Sequence, residues 1–217
     1  MTALYTLILG TKNWSSWSLR AYLAMRATGA PFEEIVLHLY QPETRARIRQ
    51  YSSAGKVPVL KIFEHGLTTT VWDSLAICET LAERHPEAHL WPENAQLRCQ
   101  ARSYAAEMHS GYPDMRNLMP MNFSRTLTLP DLNGDAKEQI ARIQEAWTKA
   151  LANNDGGFLF GDFTIADVMY APVVSRFLTY GVPLTPLVKT YCNRIMALPA
   201  MGDWRKAAKI EVETGVA

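Results

Sequence analysis

Residues 12–29 read KNWSSWSLRAYLAMRATG, a loop that turns into an amphipathic helix. The β-prone run ALYTLIL, residues 3–9, precedes them, and Gly29 is typical of a helix end. Two serines, Ser15 and Ser16, lie where the helix begins. Serine oxygens accept hydrogen bonds from the unpaired N–H groups of a first helical turn, so a cap explains one serine but not both. The pattern predicts a strand, a loop and a helix, with one serine left for another task.

The rest of the N-terminal third alternates between strand and helix patterns. The segments are PFEEIVLHLY (31–40, strand), PETRARIRQYS (42–52, short helix or turn), VPVLKIF and LTTTVW (57–63 and 67–72, a hairpin) and DSLAICETLAERHP (73–86, helix). The order β-α-β-α-β-β-α predicts an α/β domain over residues 1–85.

Only helical periods follow the segment HLWPEN. Residues 96 to 118 and 135 to 152 are predicted as two long amphipathic helices, and further helical patterns run to the end of the chain. We therefore expect a linker over 86–93 and an all-helical domain over 94–217.

Composition excludes several classes of function. The 217 residues include 22 Lys plus Arg and 21 Asp plus Glu, so no excess of positive charge indicates a nucleic-acid partner. No apolar run reaches the roughly 18 residues of a membrane span, and the five histidines form no metal-ligand pattern. Cys78, Cys99 and Cys192 lack C-x-x-C spacing, which predicts buried thiols in a reducing cytoplasm.

Two short motifs carry candidate chemistry. Val57-Pro58 opens a strand with a residue that cannot donate to a β-ladder, which leaves the Val57 backbone free to pair with an extended peptide. Asp73-Ser74 opens a helix with a carboxylate, a hydroxyl and free N–H groups, which suit a ligand with an ammonium and a carboxylate. The alternatives are an edge-strand proline that blocks aggregation and a simple helix cap. We expect Ser15, Val57 and Ser74 along one edge of the sheet.

Taken together, these motifs resemble the glutathione transferase family over nearly the whole chain. The resemblance includes the Ser/Thr-x-x-Asp capping box of the helical domain, present as Thr164-Ile165-Ala166-Asp167. It implies a thioredoxin-like N-terminal domain followed by an all-helical domain, and a homodimer without a metal.

The resemblance also implies a role for each residue of the motifs. Ser15 hydrogen-bonds the glutathione sulfur, and Val57, followed by a cis Pro58, pairs with the cysteinyl backbone of the tripeptide. Asp73 and Ser74 hold the γ-glutamyl end, and Lys56 meets the glycyl carboxylate, although a solvated surface lysine is an equal alternative. In this interpretation Ser16 or Ser18 caps the helix.

Within the family, the run from Ser15 to Arg20 is similar to the zeta-class signature Ser-Ser-Cys-x-x-Arg-Val-Arg-Ile-Ala. Trp17 stands in place of the cysteine and Tyr22 in place of the second arginine. The resemblance implies a glutathione transferase that attacks an apolar electrophile. The alternatives are a cis-trans isomerase of the maleylacetoacetate type and a non-catalytic binding module, while the lack of C-x-x-C argues against a thiol–disulfide oxidoreductase.

Three further groups of residues remain open. Met and Tyr residues on the first helices of the second domain are interpreted as core, part of which lines an electrophile pocket: Tyr104, Met108, Tyr112, Met115 and Met119. A solvated face is predicted for Arg45, Arg47 and Arg49. Trp14 and Trp17 either roof the thiol site or pack beneath it.

Overall fold

The computed structural model describes residues 3–217, and its N-terminal part is built on a four-stranded mixed sheet. The strands are β1 (Leu4–Gly10), β2 (Phe32–Leu37), β3 (Val59–Glu64) and β4 (Leu67–Trp72). They lie in the order β2-β1-β3-β4, with β1 parallel to β2 and the other pairs antiparallel.

Three helices cover this sheet: α1 (Ser16–Thr28), α2 (Thr44–Arg49) and α3 (Ser74–Arg84). Side chains alternate between the two faces along each strand. Leu7 and Leu60 belong to the large core that includes α1 and α3, whereas Ile8 and Val59 pack with Ile48 of α2.

Six helices make up the rest of the described chain: α4 (Ala95–Ser110), α5 (Pro113–Leu118), α6 (Gly134–Asn153), α7 (Ile165–Thr179), α8 (Pro186–Met196) and α9 (Pro199–Glu213). The predicted fold class, a thioredoxin-like α/β unit followed by helices, is confirmed. Within residues 3–217, no helix combines the length and the apolar character that crossing a membrane requires.

The prediction of a single helix over residues 96–118 is wrong, because this helical segment is broken in two. It is interrupted at Gly111, and Tyr112 adopts a left-handed conformation with φ 63° before Pro113 opens α5. Proline lacks the N–H that a continuing helix needs, so the GYP sequence was a visible break signal.

Helix α7 forms the centre of the helical domain and is almost entirely buried. The predicted capping box is present at its start, where Asp167 Oδ2 accepts the Thr164 N–H at 2.9 Å. The other carboxylate oxygen of Asp167 accepts from the Leu159 N–H and the Tyr191 hydroxyl at 3.0 and 3.1 Å. These bonds tie the start of α7 to the preceding loop and to α8.

The β1–α1 loop, residues 11–15, is held from the far end of the chain. The two carboxylate oxygens of Glu211, on α9, accept the backbone N–H groups of Lys12 and Asn13 at 2.8 and 2.9 Å. Trp204, also on α9, donates its indole N–H to the Lys12 carbonyl at 2.8 Å. The last helix therefore fixes the backbone that leads into α1.

Asn13 anchors the same loop to the segment after α5. Its side-chain oxygen accepts the N–H groups of Phe123 and Ser124 at 2.9 and 3.0 Å, and its side chain is buried. Because these partners belong to the helical domain, the loop geometry depends on both parts of the fold.

We predict that Glu211→Ala lowers the free energy of unfolding by about 3 kcal/mol, because it leaves two buried N–H groups without acceptors. The matched control is Glu213→Ala, two residues further along α9, whose exposed carboxylate forms one ion pair within the described residues, with Lys209 at 3.5 Å. For Glu213→Ala, the decrease in the free energy of unfolding is expected to stay below about 1 kcal/mol. Urea denaturation followed by circular dichroism measures both, and equal losses would contradict the anchoring role.

Candidate active site

A cavity of about 990 Å³ opens where the β1–α1 loop, the segment before β3 and the start of α3 meet the helical domain. Its size lies at the upper end of the range typical of small-molecule sites. All five residues singled out from the sequence line it: Ser15, Lys56, Val57, Asp73 and Ser74. The structure therefore brings the predicted set together, while the role of each residue stays a prediction.

Val57 presents its backbone at the cavity. The Val57–Pro58 peptide bond is cis, and β3 begins only at Val59. Within residues 3–217, neither the N–H nor the C=O of Val57 has a hydrogen-bond partner. Both groups are available to an extended ligand, as a β-like pairing requires.

Asp73 caps α3 in a strained conformation. Its φ of 32° lies in the left-handed region, which an L side chain rarely adopts, and its carboxylate accepts the Leu75 N–H at 2.8 Å. The other carboxylate oxygen lies 3.4 Å from Nε2 of His109, on α4. Backbone strain of this kind costs about 1–3 kcal/mol and concentrates at functional sites.

Ser74 follows as the first residue of α3 and is fully buried. Its hydroxyl has no hydrogen-bond partner among residues 3–217. A buried hydroxyl without a partner destabilises a fold, so a ligand that supplies one is favoured here.

Ser15 itself caps α1, which corrects the expectation that Ser16 or Ser18 does so. The Ser15 oxygen accepts the Ser18 N–H at 3.3 Å, and the two hydroxyl oxygens of Ser15 and Ser18 are hydrogen-bonded at 2.7 Å. Capping uses only an acceptor position, and a hydroxyl also carries a donor. The same side chain can therefore cap the helix and donate to a ligand.

Ser16 also borders the cavity, as the first residue of α1. Its hydroxyl accepts from an Nη2 group of Arg176 at 3.4 Å. Ser16 thus links the helix start to a guanidinium from the helical domain.

Both tryptophans line the cavity. The Trp14 ring lies 5.5 Å from that of Tyr40, whose side chain is 84% exposed at the rim. The Trp17 ring lies within cation–π distance of two guanidinium groups, 4.6 Å from Arg20 and 5.2 Å from Arg116. The tryptophans are therefore walls of the site and not a layer beneath it.

Two arginines in the cavity wall, Arg116 and Arg176, were missed by sequence reasoning. Arg116 donates to carbonyl groups at the end of α4, including Gly111 at 2.9 Å. Arg176 is 5% exposed and donates from Nε to the Met119 carbonyl at 2.8 Å, and its Nη1 has no partner among residues 3–217. Burial, with a smaller contribution from Arg116, lowers the pKa of Arg176 to about 10, which leaves it charged at neutral pH.

One signal in the sequence points to Arg176. It stands within IADVMYAPVVSRFLT, where a helix that is apolar on all sides is expected to be buried. A buried guanidinium without a carboxylate partner is costly and indicates a functional site. The sequence offers no comparable signal for Arg116.

The predicted Met and Tyr stripe belongs to the core. Met108, Met115 and Met119 are fully buried, and no member of the stripe lines the cavity. The apolar lining comes instead from Leu39, Pro120, Met121, Leu127 and Tyr180. Of the three arginines on α2, Arg45 borders the cavity, while all three are exposed.

Known proteins resemble this chain in both of its parts. Residues 14–84 match the family model described as Glutathione S-transferase, N-terminal domain, and residues 103–208 match the corresponding C-terminal domain. A probable maleylacetoacetate isomerase of Caenorhabditis elegans is 26% identical, over 79% of this chain and 78% of its own.

The solved structures that resemble the chain include two of a maleylacetoacetate isomerase from Anaeromyxobacter dehalogenans. One, with bound GSH in the active site, is 26% identical with a TM-score of 0.69 and covers 94% of this chain and 95% of its own. The other, with bound dicarboxyethyl glutathione and citrate in the active site, is 25% identical with a TM-score of 0.67. It covers 100% of this chain and 99% of its own. The two domain matches, their order and the site described above show that this chain belongs to the glutathione S-transferase family of enzymes.

Proposed function

We propose that the protein binds glutathione in this cavity and uses its thiolate against an electrophilic carbon. The convergence of the Ser15 hydroxyl, the free Val57 backbone and the Asp73-Ser74 pair on one cavity carries the proposal. In this arrangement Ser15 donates to the sulfur, Val57 pairs with the cysteinyl backbone, and Asp73 and Ser74 hold the γ-glutamyl end. Lys56, at the cavity wall, meets the glycyl carboxylate.

The contribution of Ser15 to the rate is modest. A free thiol with a pKa of about 8.5 is only about 3% ionised at pH 7. Lowering that pKa by about two units raises the thiolate fraction roughly 25-fold, but the weaker nucleophile loses about 6- to 10-fold of this gain. Most of the catalysis therefore comes from holding the thiolate and the electrophile together.

The electrophile in this proposal has an apolar body and an acidic end. The sequence predicts an apolar electrophile, and the apolar lining fits its body. Arg176 and Arg116 both line this cavity, the Arg176 Nη1 group has no partner among residues 3–217, and a carboxylate satisfies guanidinium groups with charge-assisted hydrogen bonds. The dicarboxyethyl glutathione bound to the Anaeromyxobacter dehalogenans isomerase is in keeping with an acidic partner for the sulfur.

One addition step serves two reactions. The thiolate adds to one carbon of a double bond that is conjugated to a carbonyl or carboxyl group: the carbon–sulfur bond forms, the π bond breaks, and its electron pair moves onto the carbonyl group as an enolate. If the adduct takes up a proton, the product is a glutathione conjugate. If the former double bond rotates as a single bond and the sulfur leaves, the product is the isomerised substrate and glutathione is regenerated. The isomerase named among the relatives makes this second outcome the main alternative for this chain.

A thiol–disulfide reaction has no support at this site, because no cysteine lines the cavity. Burial raises the pKa of the Cys78 thiol to about 12, which suppresses the reactive thiolate. Cys78, Cys99 and Cys192 are all free, in keeping with the reducing cytoplasm that we propose as the location; the prediction of buried thiols is wrong for Cys99, which is exposed on α4. The family resemblance leads us to propose a homodimer, and light scattering that gives the mass of one chain would contradict it.

We predict that glutathione binds with micromolar to millimolar affinity in isothermal calorimetry, and that Ser15→Ala lowers kcat/KM at least about 10-fold while glutathione affinity is nearly kept. The control is Ser103→Ala, since that exposed hydroxyl donates to a carbonyl of its own helix, α4, and Ser103 does not line the cavity. No binding at millimolar glutathione would overturn the proposal. Binding without turnover of any electrophile would identify a non-catalytic module, and equal turnover by Ser15→Ala and the parent would remove Ser15 from the chemistry.

A second prediction concerns the acidic end of the substrate. Arg176→Met should raise KM for an electrophile that carries a carboxylate, such as maleylacetone, by about 10-fold or more, because a charged hydrogen bond is lost. A neutral electrophile measured with the same variant is the control and should change less than about 3-fold. An equal loss for both electrophiles would show that Arg176 only supports the fold.

A further inference from the structure

Ser18 lies directly behind the proposed thiol-binding hydroxyl. It is the third residue of α1, is fully buried and does not line the cavity. Its oxygen accepts the N–H of Gly10, the last residue of β1, at 2.9 Å, and lies 2.7 Å from the Ser15 oxygen. Ser18 therefore connects the end of the central strand to Ser15.

The two hydroxyls have two protons but share only one hydrogen bond. Among residues 3–217, neither hydroxyl has any acceptor except the other oxygen. Their remaining bonds are accepted ones, from the N–H groups of Gly10 and of Ser18 itself. In the unliganded protein one of the two protons is therefore without a partner among residues 3–217, and of the two hydroxyls only that of Ser15 lines the cavity, where a ligand can accept it.

We propose that Ser18 is a positioning residue that turns the Ser15 proton toward the glutathione sulfur. In the unliganded site Ser15 donates to Ser18. When the sulfur binds, Ser15 donates to it and Ser18 donates to Ser15, while the Gly10 N–H continues to hold the Ser18 oxygen. Both hydroxyls rotate, and no proton is transferred between them. The inference rests on the proposed role of Ser15.

We call the two hydrogen bonds, from Ser18 to Ser15 and from Ser15 to the sulfur, the relay. It has a measurable consequence for the acidity of the bound thiol. Without Ser18, Ser15 has no hydroxyl donor behind it when it donates to the sulfur. With Ser18, the two bonds polarise each other, and such chains strengthen each bond by about 10–30%. Applied to a hydrogen bond to a charged group, the upper end of this range gives about a 2- to 4-fold difference in the acid dissociation constant of the bound thiol.

The experiment titrates the thiolate of enzyme-bound glutathione by its ultraviolet absorbance in a double-mutant cycle. The proteins are the parent, Ser18→Ala, Ser15→Ala and the double variant. Ser18→Thr, which retains the hydroxyl, is the rescue control. Ser18→Cys, which retains a side chain of similar size with a weak donor, carries the test if Ser18→Ala does not fold. Glutathione affinity is measured for each variant by calorimetry.

The relay predicts that Ser18→Ala lowers the acid dissociation constant of the bound thiol about 2- to 4-fold when Ser15 is present and has no effect in the Ser15→Ala background. Ser18→Thr should restore the parent value. A purely structural role predicts equal shifts in both backgrounds, or none, and either result overturns the relay. If Ser15→Ala alone leaves the acid dissociation constant of the bound thiol unchanged, the proposed role of Ser15 is wrong, and the relay, which depends on it, is wrong as well.

Discussion

The β1–α1 loop is held by hydrogen bonds from residues that are more than a hundred positions away in the chain. Glu211 and Trp204 fix it from α9, and Asn13 fixes it to the segment after α5. The loop sets the position of Ser15 and of both tryptophans in the cavity wall. Because these partners lie in the helical part of the chain, the site is complete only when both parts have folded together; Leu39 of the N-terminal part also donates to the loop, at Thr11.

The residues that line the cavity include polar groups without hydrogen-bond partners and one strained backbone position. The Ser74 hydroxyl and one Nη group of Arg176 are buried without partners among residues 3–217, and Asp73 is held in a strained conformation. Each feature lowers the stability of the free protein. In the proposed function, glutathione and an acidic electrophile supply hydrogen-bond partners to the Ser74 hydroxyl and to Arg176, which is a common exchange of stability for binding in enzymes.

The doubled serine shows how a hydroxyl can serve two purposes. From the sequence, we expected one serine to cap the helix and another to meet the ligand, since each hydroxyl was taken to perform a single task. In the structure Ser15 caps α1 with a lone pair and donates its proton to Ser18, and in the proposed function that proton turns to the ligand. Ser16 has a different partner, Arg176, and Ser18 supports Ser15 from behind.

Local patterns predicted much of the fold and drew attention to Ser15, Val57, Asp73 and Ser74 around the cavity, while Lys56 was added by the family resemblance. Strand alternation, Gly29 at a helix end and the Thr164-Asp167 box are short-range signals that the chain shows within a few residues. The missed parts depend on distant contacts: Arg116 and Arg176 lie 60 residues apart on two helices, and Glu211 meets a loop almost 200 positions earlier. The GYP sequence at Gly111 signals a helix break, but the helical periodicity on both sides of it favoured the prediction of one continuous helix.

The most direct test of the central claim is a crystal structure of the protein with glutathione. We expect the sulfur to lie within hydrogen-bonding distance of the Ser15 oxygen, with the tripeptide backbone paired to Val57 and its γ-glutamyl end at Asp73 and Ser74. A sulfur bound at Ser16 or at a backbone N–H group, beyond the reach of Ser15, would contradict it.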